Sequence, residues 1–354
     1  MKITVIGAGN AGTTISADLS NKGHCVTLVK TSNSLHNEHH IRLSQTNTVK
    51  VFDLDKTYEA KINFTDDIKS AVQSAELIIV FVQTNYHKDI ISRISPYLRS
   101  GQTVLLEPGY LSTCFLLSEC KADITVIEAE SSSIDCRITA PGEVTVLFKN
   151  VLNPFGVYPV EKREHAEKIL SELEYPFTIT NSVIEAALHN PNLIVHTVGA
   201  IMSIPRIEYS KGDYWMYREV FTPHVWNIVK ALDKEKMDVL EKLGCERLPY
   251  VEACKLRNST DKDENALDAF FDYANNHSPS GPTTPDSRYI TEDVPQGLVL
   301  LESLASVLDI DVPVCSGLIN LACASLQTDF RKSGRTVSTL GYENITQILN
   351  NSKQ

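Results

Sequence analysis

The hydrophobic pattern of the chain changes near residue 180. Before that point, short runs rich in β-branched residues alternate with amphipathic stretches. The run 75–82 is almost entirely apolar, which predicts a parallel strand buried on both faces. After it, apolar residues recur mainly with the 3.6-residue period of helices. The helices predicted there cover 183–189, 192–204, 223–243, 266–274, 297–308 and 316–328. We therefore predict an α/β domain over 1–180 and an all-α domain over 181–354.

A Gly-x-Gly-x-x-Gly motif at 7–12 lies between the strand-like run 2–6 and an amphipathic stretch at 13–22. This strand–turn–helix context is what a dinucleotide-binding fingerprint requires. The first glycine permits the tight turn, the second lets the backbone approach a pyrophosphate, and the third lets helix and strand pack closely. The motif predicts a Rossmann-type doubly wound sheet that binds a dinucleotide. The predicted cofactor-binding residues of the turn are Gly7, Gly9, Asn10, Ala11 and Gly12.

The end of the second predicted strand distinguishes between cofactors. An NAD site normally has an acidic residue there, which binds the ribose 2′-hydroxyl. This sequence has Lys30, Thr31 and Ser32 instead, and so offers one positive charge and two hydroxyl donors. We predict that these three residues bind the cofactor and that NADP(H) is favoured over NAD(H). The alternative is that Lys30 is only a solvated residue at the end of the strand.

Composition narrows the classes of partner. The 354 residues include 33 Lys and Arg against 44 Asp and Glu, a net charge of −11, whereas proteins that hold nucleic acid by its phosphates usually present a basic surface. No apolar run approaches the ~20 residues that a bilayer requires. We therefore expect small-molecule partners, and neither nucleic acid nor membrane.

The eight cysteines form no Cys-x-x-Cys pair, and the chain begins with a strand-like run that lacks the features of a signal peptide. These features predict reduced thiols in a cytoplasmic protein. His36, His39 and His40 cluster near Glu38, but their spacing does not match that of metal ligands. We expect a solvated loop there and no metal.

Three stretches of the helical half carry candidate chemistry. Asn192 and His196 lie four residues apart and therefore on one helix face, although a histidine in apolar surroundings is more often a hydrogen-bonded core residue. The stretch 288–293 places Arg, Glu and Asp ahead of a helix, which also fits an ordinary surface cap. The basic stretch 329–336 fits either an anion-binding patch or a helix end.

Taken together, these motifs resemble the opine dehydrogenase family of the octopine/nopaline type, over nearly the whole chain. The motifs that carry the resemblance are the glycine turn at 7–12, the stretch 128–144 with Cys136-Arg137 and Pro141-Gly142-Glu143, Asn190-x-Asn192-x-x-x-His196, Arg288-Tyr289-x-x-Glu292-Asp293-Val294-x-x-Gly297-Leu298, and Asp329-Phe330-Arg331-x-x-Gly334-Arg335-Thr336. The resemblance implies an enzyme that condenses the amine of an amino acid with a 2-oxo acid such as pyruvate. It reduces the imine with NAD(P)H to a secondary amine dicarboxylic acid.

The resemblance also implies roles for single residues. The family's catalytic histidine falls on His196 and its aspartate partner on Asp293, which suits chemistry that needs a proton donor near neutral pH. Arg288 falls on the arginine that holds a substrate carboxylate, a two-point contact that guanidinium favours. Asn192 matches a pocket asparagine, and Glu128 a carboxylate implicated in substrate binding at the domain cleft.

Two other functions remain open from the sequence. Glycerol-3-phosphate dehydrogenases and ketopantoate reductases are similar in the first domain, so an NADPH-dependent reductase of a simple 2-oxo or 3-oxo acid is the alternative enzyme. Their pattern includes a catalytic lysine that has no clear place here. A protein that holds NADP(H) without turnover is the third candidate. The sequence leaves the amino acid, the 2-oxo acid, the product stereochemistry and the choice between monomer and homodimer open.

Overall fold

The structure is a computed structural model that describes residues 1–31 and 36–352. The chain divides into two compact units, Met1–Ile179 and Thr180–Gln354. Over the described ranges, no helix has both the length and the apolar character needed to cross a membrane. The predicted architecture, a doubly wound α/β unit followed by a helical unit, is confirmed.

The first unit is built on an eight-stranded sheet in the order β12-β11-β8-β7-β6-β1-β2-β5. The strands of the unit are β1 (Lys2–Ile6), β2 (Cys25–Val29), β3 (Thr48–Phe52), β4 (Thr57–Lys61), β5 (Asn63–Thr65), β6 (Leu77–Val80), β7 (Thr103–Leu106), β8 (Thr125–Ala129), β9 (Ile134–Ala140), β10 (Glu143–Lys149), β11 (Asn153–Tyr158) and β12 (Phe177–Ile179). All neighbouring pairs run parallel except β11 with β8. The carboxyl ends of β1, β2, β6, β7 and β8 therefore share one edge, where ligands of open α/β sheets bind.

Helices connect these strands. They are α1 (Asn10–Asn21), α2 (Asn37–Thr46), α3 (Ile68–Ser74), α4 (His87–Ile94), α5 (Thr113–Glu119) and α6 (Arg163–Glu172), with short 3₁₀ helices at Thr84–Tyr86, Ser95–Tyr97 and Val160–Lys162. Strand β12 follows α6 and extends the sheet beside β11, so the first unit ends with a strand.

A second, four-stranded sheet in the order β4-β3-β10-β9 also belongs to this unit. The sequence predicts a strand at 144–148 but does not separate it from the main sheet. Residues of β3 alternate between buried and partly exposed positions, unlike the fully buried β6 and β7. This alternation is typical of a sheet that is covered on one face only.

The second unit is helical. Its helices are α7 (Val183–Leu188), α8 (Pro191–Met202), α9 (Ile204–Ser210), α10 (Met216–Glu219), α11 (Pro223–Lys242), α12 (Tyr250–Asn258), α13 (Ala266–Asn276), α14 (Arg288–Thr291), α15 (Val299–Val307), α16 (Pro313–Leu326), α17 (Phe330–Ser333), α18 (Val337–Leu340) and α19 (Tyr342–Asn351). Among the described residues of this unit, the strand-type pairing is limited to one bridge between Trp215 and Gly281. A π-helix, Val294–Leu298, precedes α15 where the sequence predicts regular helix from residue 297.

Helix α8 shows how local sequence specifies one of these elements. Asn190 is the N-cap, and its side-chain oxygen accepts a hydrogen bond from the Asn192 N–H. Pro191 occupies the first helical position, where its missing N–H costs no helix bond. All residues from Leu193 to Ile201 are buried, so this helix runs through the core of its unit.

Glu107, directly after β7, is a buried carboxyl group in the first unit. It is 4% exposed, and its Oε1 accepts hydrogen bonds from the Ser133 N–H and hydroxyl, at 2.7 and 2.9 Å. Burial raises the pKa of Glu107 to about 7, although the Ser133 bonds oppose that shift. The folded protein therefore holds the Glu107 proton at pH values where the unfolded chain releases it.

We expect Glu107→Gln to stabilise the protein in alkaline but not in acidic solution. A carboxyl group with a raised folded-state pKa stabilises fully below its unfolded value of 4.5, and this contribution is lost as pH rises through about 7. The neutral amide avoids that loss, which amounts to roughly 3 kcal/mol at most. Urea unfolding at pH 5 and pH 8 measures the difference. The exposed Glu172→Gln serves as the control, and equal stabilisation at both pH values would contradict the assignment.

Candidate active site

The glycine turn of the first unit has the geometry of a phosphate cradle. Gly7 has φ +111°, and a Cβ there would lie 2.9 Å from the Phe81 backbone. A Cβ on Gly12 would lie 1.8 Å from the Gly7 carbonyl oxygen, whereas a Cβ on Gly9 would meet nothing within 4 Å. Two glycines are thus required by the packing of the turn, and the third borders open space. Gly9 is the N-cap of α1 and provides no side-chain hydrogen bond. The first N–H groups of that helix are therefore suited to donate hydrogen bonds to a pyrophosphate.

Neighbouring side chains hold this turn in place. Asn10, predicted to bind the cofactor, accepts a hydrogen bond from the Ile138 N–H through its side-chain oxygen, at 2.8 Å. That bond joins the start of α1 to β9. Ala11 is the second residue of α1 and is partly buried. The positions of Asn10 and Ala11 in the turn match the sequence prediction, and their cofactor contacts stay predictions.

Of the histidines predicted to lie in a solvated loop, His36 is the exposed N-cap of α2. The expectation is wrong for His39 and His40, which lie on α2 and are buried. His40 donates from Nε2 to the Ala8 carbonyl, at 3.0 Å. His39 accepts from the Gly142 N–H at Nδ1, and its Nε2 lies 3.2 Å from the Thr13 hydroxyl. Burial lowers the pKa of His39 to about 4, so its imidazole is neutral near pH 7.

Lys30 and Thr31 follow β2 at the ligand-binding edge of the sheet. The Lys30 N–H donates to the Thr65 carbonyl at 2.9 Å, which fixes its backbone, and both residues are partly exposed. Ser32, the third residue predicted at this position, lies outside the described residues. Over the described ranges, His, Cys, Asp and Glu side chains form no group of three or more suited to hold a metal ion.

In the second unit, His196 and Asp293 form a buried pair. The Nδ1 atom of His196 lies 2.8 Å from Oδ2 of Asp293, and the two side chains are 6% and 3% exposed. The imidazole also stacks on the Tyr289 ring, with centroids 3.7 Å apart and planes inclined by 9°, while Tyr217 meets it edge-on. The carboxylate and the two rings together fix the position and the plane of the imidazole.

Arg288 and Asn192 lie on the elements that carry this pair. Arg288 opens α14, is 51% exposed, and its Nη1 lies 3.6 Å from Oε2 of the buried Glu292. Asn192 lies one helical turn before His196 on α8 and is partly exposed. Residues 288–293 are therefore more than a surface cap, because they contribute Asp293 and Tyr289 to the pair with His196.

Glu128 has a different environment from the one predicted. It lies inside β8 and is fully buried, and its carboxylate accepts hydrogen bonds from the Leu111 N–H, the Thr113 N–H and the Thr113 hydroxyl, at 2.6–2.8 Å. These bonds hold the loop after β7 and the first residue of α5, and a Cβ on Gly109 would lie 2.0 Å from the same carboxylate. The contacts give Glu128 a loop-holding role within its unit, and its role in substrate binding stays a prediction.

Sequence reasoning missed the aromatic groups and the loop-holding bonds. Tyr289 is part of the stretch 288–298, but stacking on a histidine 93 positions away leaves no local signal. The hydrogen bond of His40 to the glycine turn likewise depends on tertiary packing.

Comparisons with known protein families agree with the division into two units. Residues 179–326 match the family described as "NAD/NADP octopine/nopaline dehydrogenase, alpha-helical domain". Residues 2–109 match "NAD-dependent glycerol-3-phosphate dehydrogenase N-terminus". The specific match therefore covers the unit that contains His196 and Asp293, and the broader match covers the glycine turn.

Comparisons over most or all of the chain also give opine dehydrogenases. An opine dehydrogenase of Arthrobacter sp. (strain 1C) is 27% identical over 287 residues, which are 80% of this chain and 79% of the relative. An octopine dehydrogenase solved with NADH and agmatine has a TM-score of 0.76 at 17% identity, over 99% of this chain and 98% of that one. A yersinopine dehydrogenase with bound NADP⁺ has a TM-score of 0.73 at 15% identity, over 100% and 99%. The match of the helical unit and the relative found over 80% of the chain together support the opine dehydrogenase family, which consists of NAD(P)-dependent oxidoreductases.

Proposed function

We propose that the protein catalyses the NADPH-dependent condensation of an amino-acid amine with a 2-oxo acid and the reduction of the resulting imine. The observation that carries the proposal is the buried contact of 2.8 Å between His196 and Asp293. The motif that contains Asp293 also contains Arg288, whose side chain is partly exposed. The product is a secondary amine dicarboxylic acid.

His196 is the proton donor and acceptor of the proposed reaction. Because the Nδ1 atom of His196 is hydrogen-bonded to Asp293, the Nε2 atom is the one that exchanges a proton with the substrate. The carbinolamine formed from amine and ketone loses water only when its hydroxyl is protonated, and an imidazolium near neutral pH is suited to this. The Asp293 carboxylate stabilises that protonated ring. Such acid–base assistance contributes about 10²–10⁴-fold in rate.

Tyr289 and Tyr217 support the same role. A ring stacked at 3.7 Å restricts rotation of the imidazole about its bond to the chain, so Nε2 keeps one direction while Nδ1 holds Asp293. An aromatic face also attracts a cation, which favours the protonated imidazole. The two tyrosines thus add orientation and charge stabilisation to the pair.

Arg288 is the proposed anchor of the 2-oxo acid carboxylate. Its side chain is 51% exposed as a whole, and the distance of 3.6 Å from its Nη1 to Oε2 of Glu292 is longer than a direct hydrogen bond. A planar guanidinium can therefore turn a two-point face toward an incoming carboxylate. Asn192, one turn before His196, is the proposed polar contact for the substrate. Anchored substrates react as though held at high local concentration.

A bound nicotinamide cofactor supplies the hydride. The turn around Gly9 and the start of α1 would hold its pyrophosphate, and Lys30 with Thr31 would hold the ribose end. We propose a preference for NADP(H), since a lysine at the end of β2 favours a 2′-phosphate. The octopine dehydrogenase neighbour binds NADH and the yersinopine dehydrogenase neighbour binds NADP⁺, so the family fold accommodates both.

We also propose a cytoplasmic location. The eight cysteines all lie in the described ranges as reduced thiols, as in proteins of reducing compartments.

We expect the purified protein to oxidise NADPH only when both a 2-oxo acid and an amino acid are present. Pyruvate with pooled amino acids, followed at 340 nm, provides the assay, and a panel of 2-oxo acids extends it. Oxidation by an oxo acid without any amine would instead identify a simple oxo-acid reductase. Tight NADPH binding without turnover across the panel would identify a cofactor-binding protein.

His196→Ala and Asp293→Asn should each lower kcat by about 10²-fold or more, because both disable the same proton donor. NADPH affinity, measured by fluorescence titration, should stay near that of the wild type. The exposed His224→Ala, in the same unit, serves as the control. Full turnover in His196→Ala would show that another group handles the proton.

Lys30→Asp should weaken NADPH binding by roughly tenfold or more and leave NADH binding unchanged or improved. A charge-assisted hydrogen bond contributes about 1.5–3 kcal/mol, and each 1.4 kcal/mol is tenfold in affinity. The dissociation constants of both cofactors should be compared with those of the exposed Lys168→Asp. Equal affinities of the wild type for NADPH and NADH would exclude the role given to Lys30.

A further inference from the structure

The basic stretch 329–336 has no place in the proposed chemistry, yet part of it is deeply buried. Arg335 is 3% exposed, which is unusual for a guanidinium. Its neighbours in the fold are residues of the π-helix Val294–Leu298, the segment that directly follows Asp293. The stretch therefore reaches the backbone that carries the partner of His196.

Two hydrogen bonds join Arg335 to the π-helix. The Arg335 N–H donates to the Pro295 carbonyl at 2.9 Å, and its Nε donates to the Gln296 side-chain oxygen at 2.7 Å. The first bond satisfies a backbone carbonyl, and the second ties the side chain to the next residue of the π-helix. A buried guanidinium forms such bonds only in a well-defined geometry.

Gly334 brings this segment into close contact with the same π-helix. A Cβ on Gly334 would lie 2.7 Å from the Pro295 carbonyl oxygen, 2.7 Å from Val299 Cγ1 and 2.7 Å from the Phe330 carbonyl oxygen. Two of these atoms are backbone, so they have little freedom to move. Any side chain at position 334 must push the segment away from Pro295.

The π-helix determines the direction of Asp293. A π-turn holds one more residue than an α-turn, and each residue of a helix turns the side-chain direction by about 100°. If the segment reverted to a regular α-helix, Asp293 and Tyr289 would rotate by about that angle relative to α15. The contact of 2.8 Å with His196 would then be lost.

We propose that Gly334 and Arg335 are positioning residues that hold the π-helix, and through it Asp293, in the geometry required for proton transfer by His196. The inference rests on the proposed function of the His196–Asp293 pair. It gives the family motif at 329–336 a role without contact to substrate. The groups that face the imidazole are Asp293, Tyr289 and Tyr217, with Arg288 and Glu292 on or next to α14.

The test compares Gly334→Ala with Gly317→Ala in the same unit, where a Cβ on Gly317 meets nothing within 4 Å. We expect Gly334→Ala to lower kcat tenfold or more while the KM for NADPH and for the oxo acid stays within twofold. The pH above which the reductive rate falls should move lower by about one unit, because the carboxylate no longer stabilises protonated His196. Gly317→Ala should change neither the rate nor the pH profile.

A double-mutant cycle with Asp293→Asn separates this inference from the proposed function. If Gly334 acts through Asp293, adding Gly334→Ala to Asp293→Asn should lower kcat by less than threefold. If the loss of kcat in the double variant equals the product of the losses in the two single variants, the positioning role is overturned, while the acid–base role of the pair stands. Normal kcat in Asp293→Asn alone would instead overturn the proposed function.

Arg335→Lys provides a second variant if Gly334→Ala does not fold. Lysine keeps the charge and the main-chain bond to Pro295 but lacks the Nε donor to Gln296. We expect a kcat loss of about threefold to tenfold with the same direction of change in the pH profile. A lower Tm with unchanged kcat and pH profile would show that the segment only stabilises the fold. A raised KM for the oxo acid would show that Arg335 contacts the substrate directly. Either result would overturn the inference.

Discussion

The hydrogen bond between the His196 imidazole and the Asp293 carboxylate is the interaction on which the helical unit's chemistry depends. The two residues are 97 positions apart, and both are almost fully buried. An unpaired charge in such surroundings is strongly destabilising, so each group requires the other. Helix α8 and the segment around α14 must therefore pack in one register. The stacked ring of Tyr289 depends on that register as well.

The same constraint explains why an irregular helix lies next to the pair. The π-helix Val294–Leu298 places Asp293 in one direction and continues into α15 in another. Gly334 and Arg335 contact it through backbone and side chain, which gives an irregular segment fixed partners. Irregular helical turns are frequent at functional sites because they direct a side chain where a regular helix cannot.

The nucleotide-binding unit uses buried polar groups in a similar way. His39 and His40 reach from α2 to Thr13, Gly142 and the Ala8 carbonyl, so they support the glycine turn from behind. Glu128 accepts three hydrogen bonds, one from Leu111 in the loop after β7 and two from Thr113 at the start of α5. In both places a titratable side chain satisfies backbone groups that have no partner within a strand or a helix.

The sequence by itself determined the two-unit architecture, the glycine turn and the family, because hydrophobic period and glycine spacing are local properties of the chain. Through the resemblance of ordered motifs it also predicted the pairing of His196 with Asp293, and the structure has the two side chains 2.8 Å apart. Only the tertiary structure revealed the second sheet, the buried histidines of α2, the environment of Glu128 and the π-helix. Each of these depends on contacts between residues far apart in the chain, and a hydrogen bond across such a distance leaves no periodic trace in the sequence.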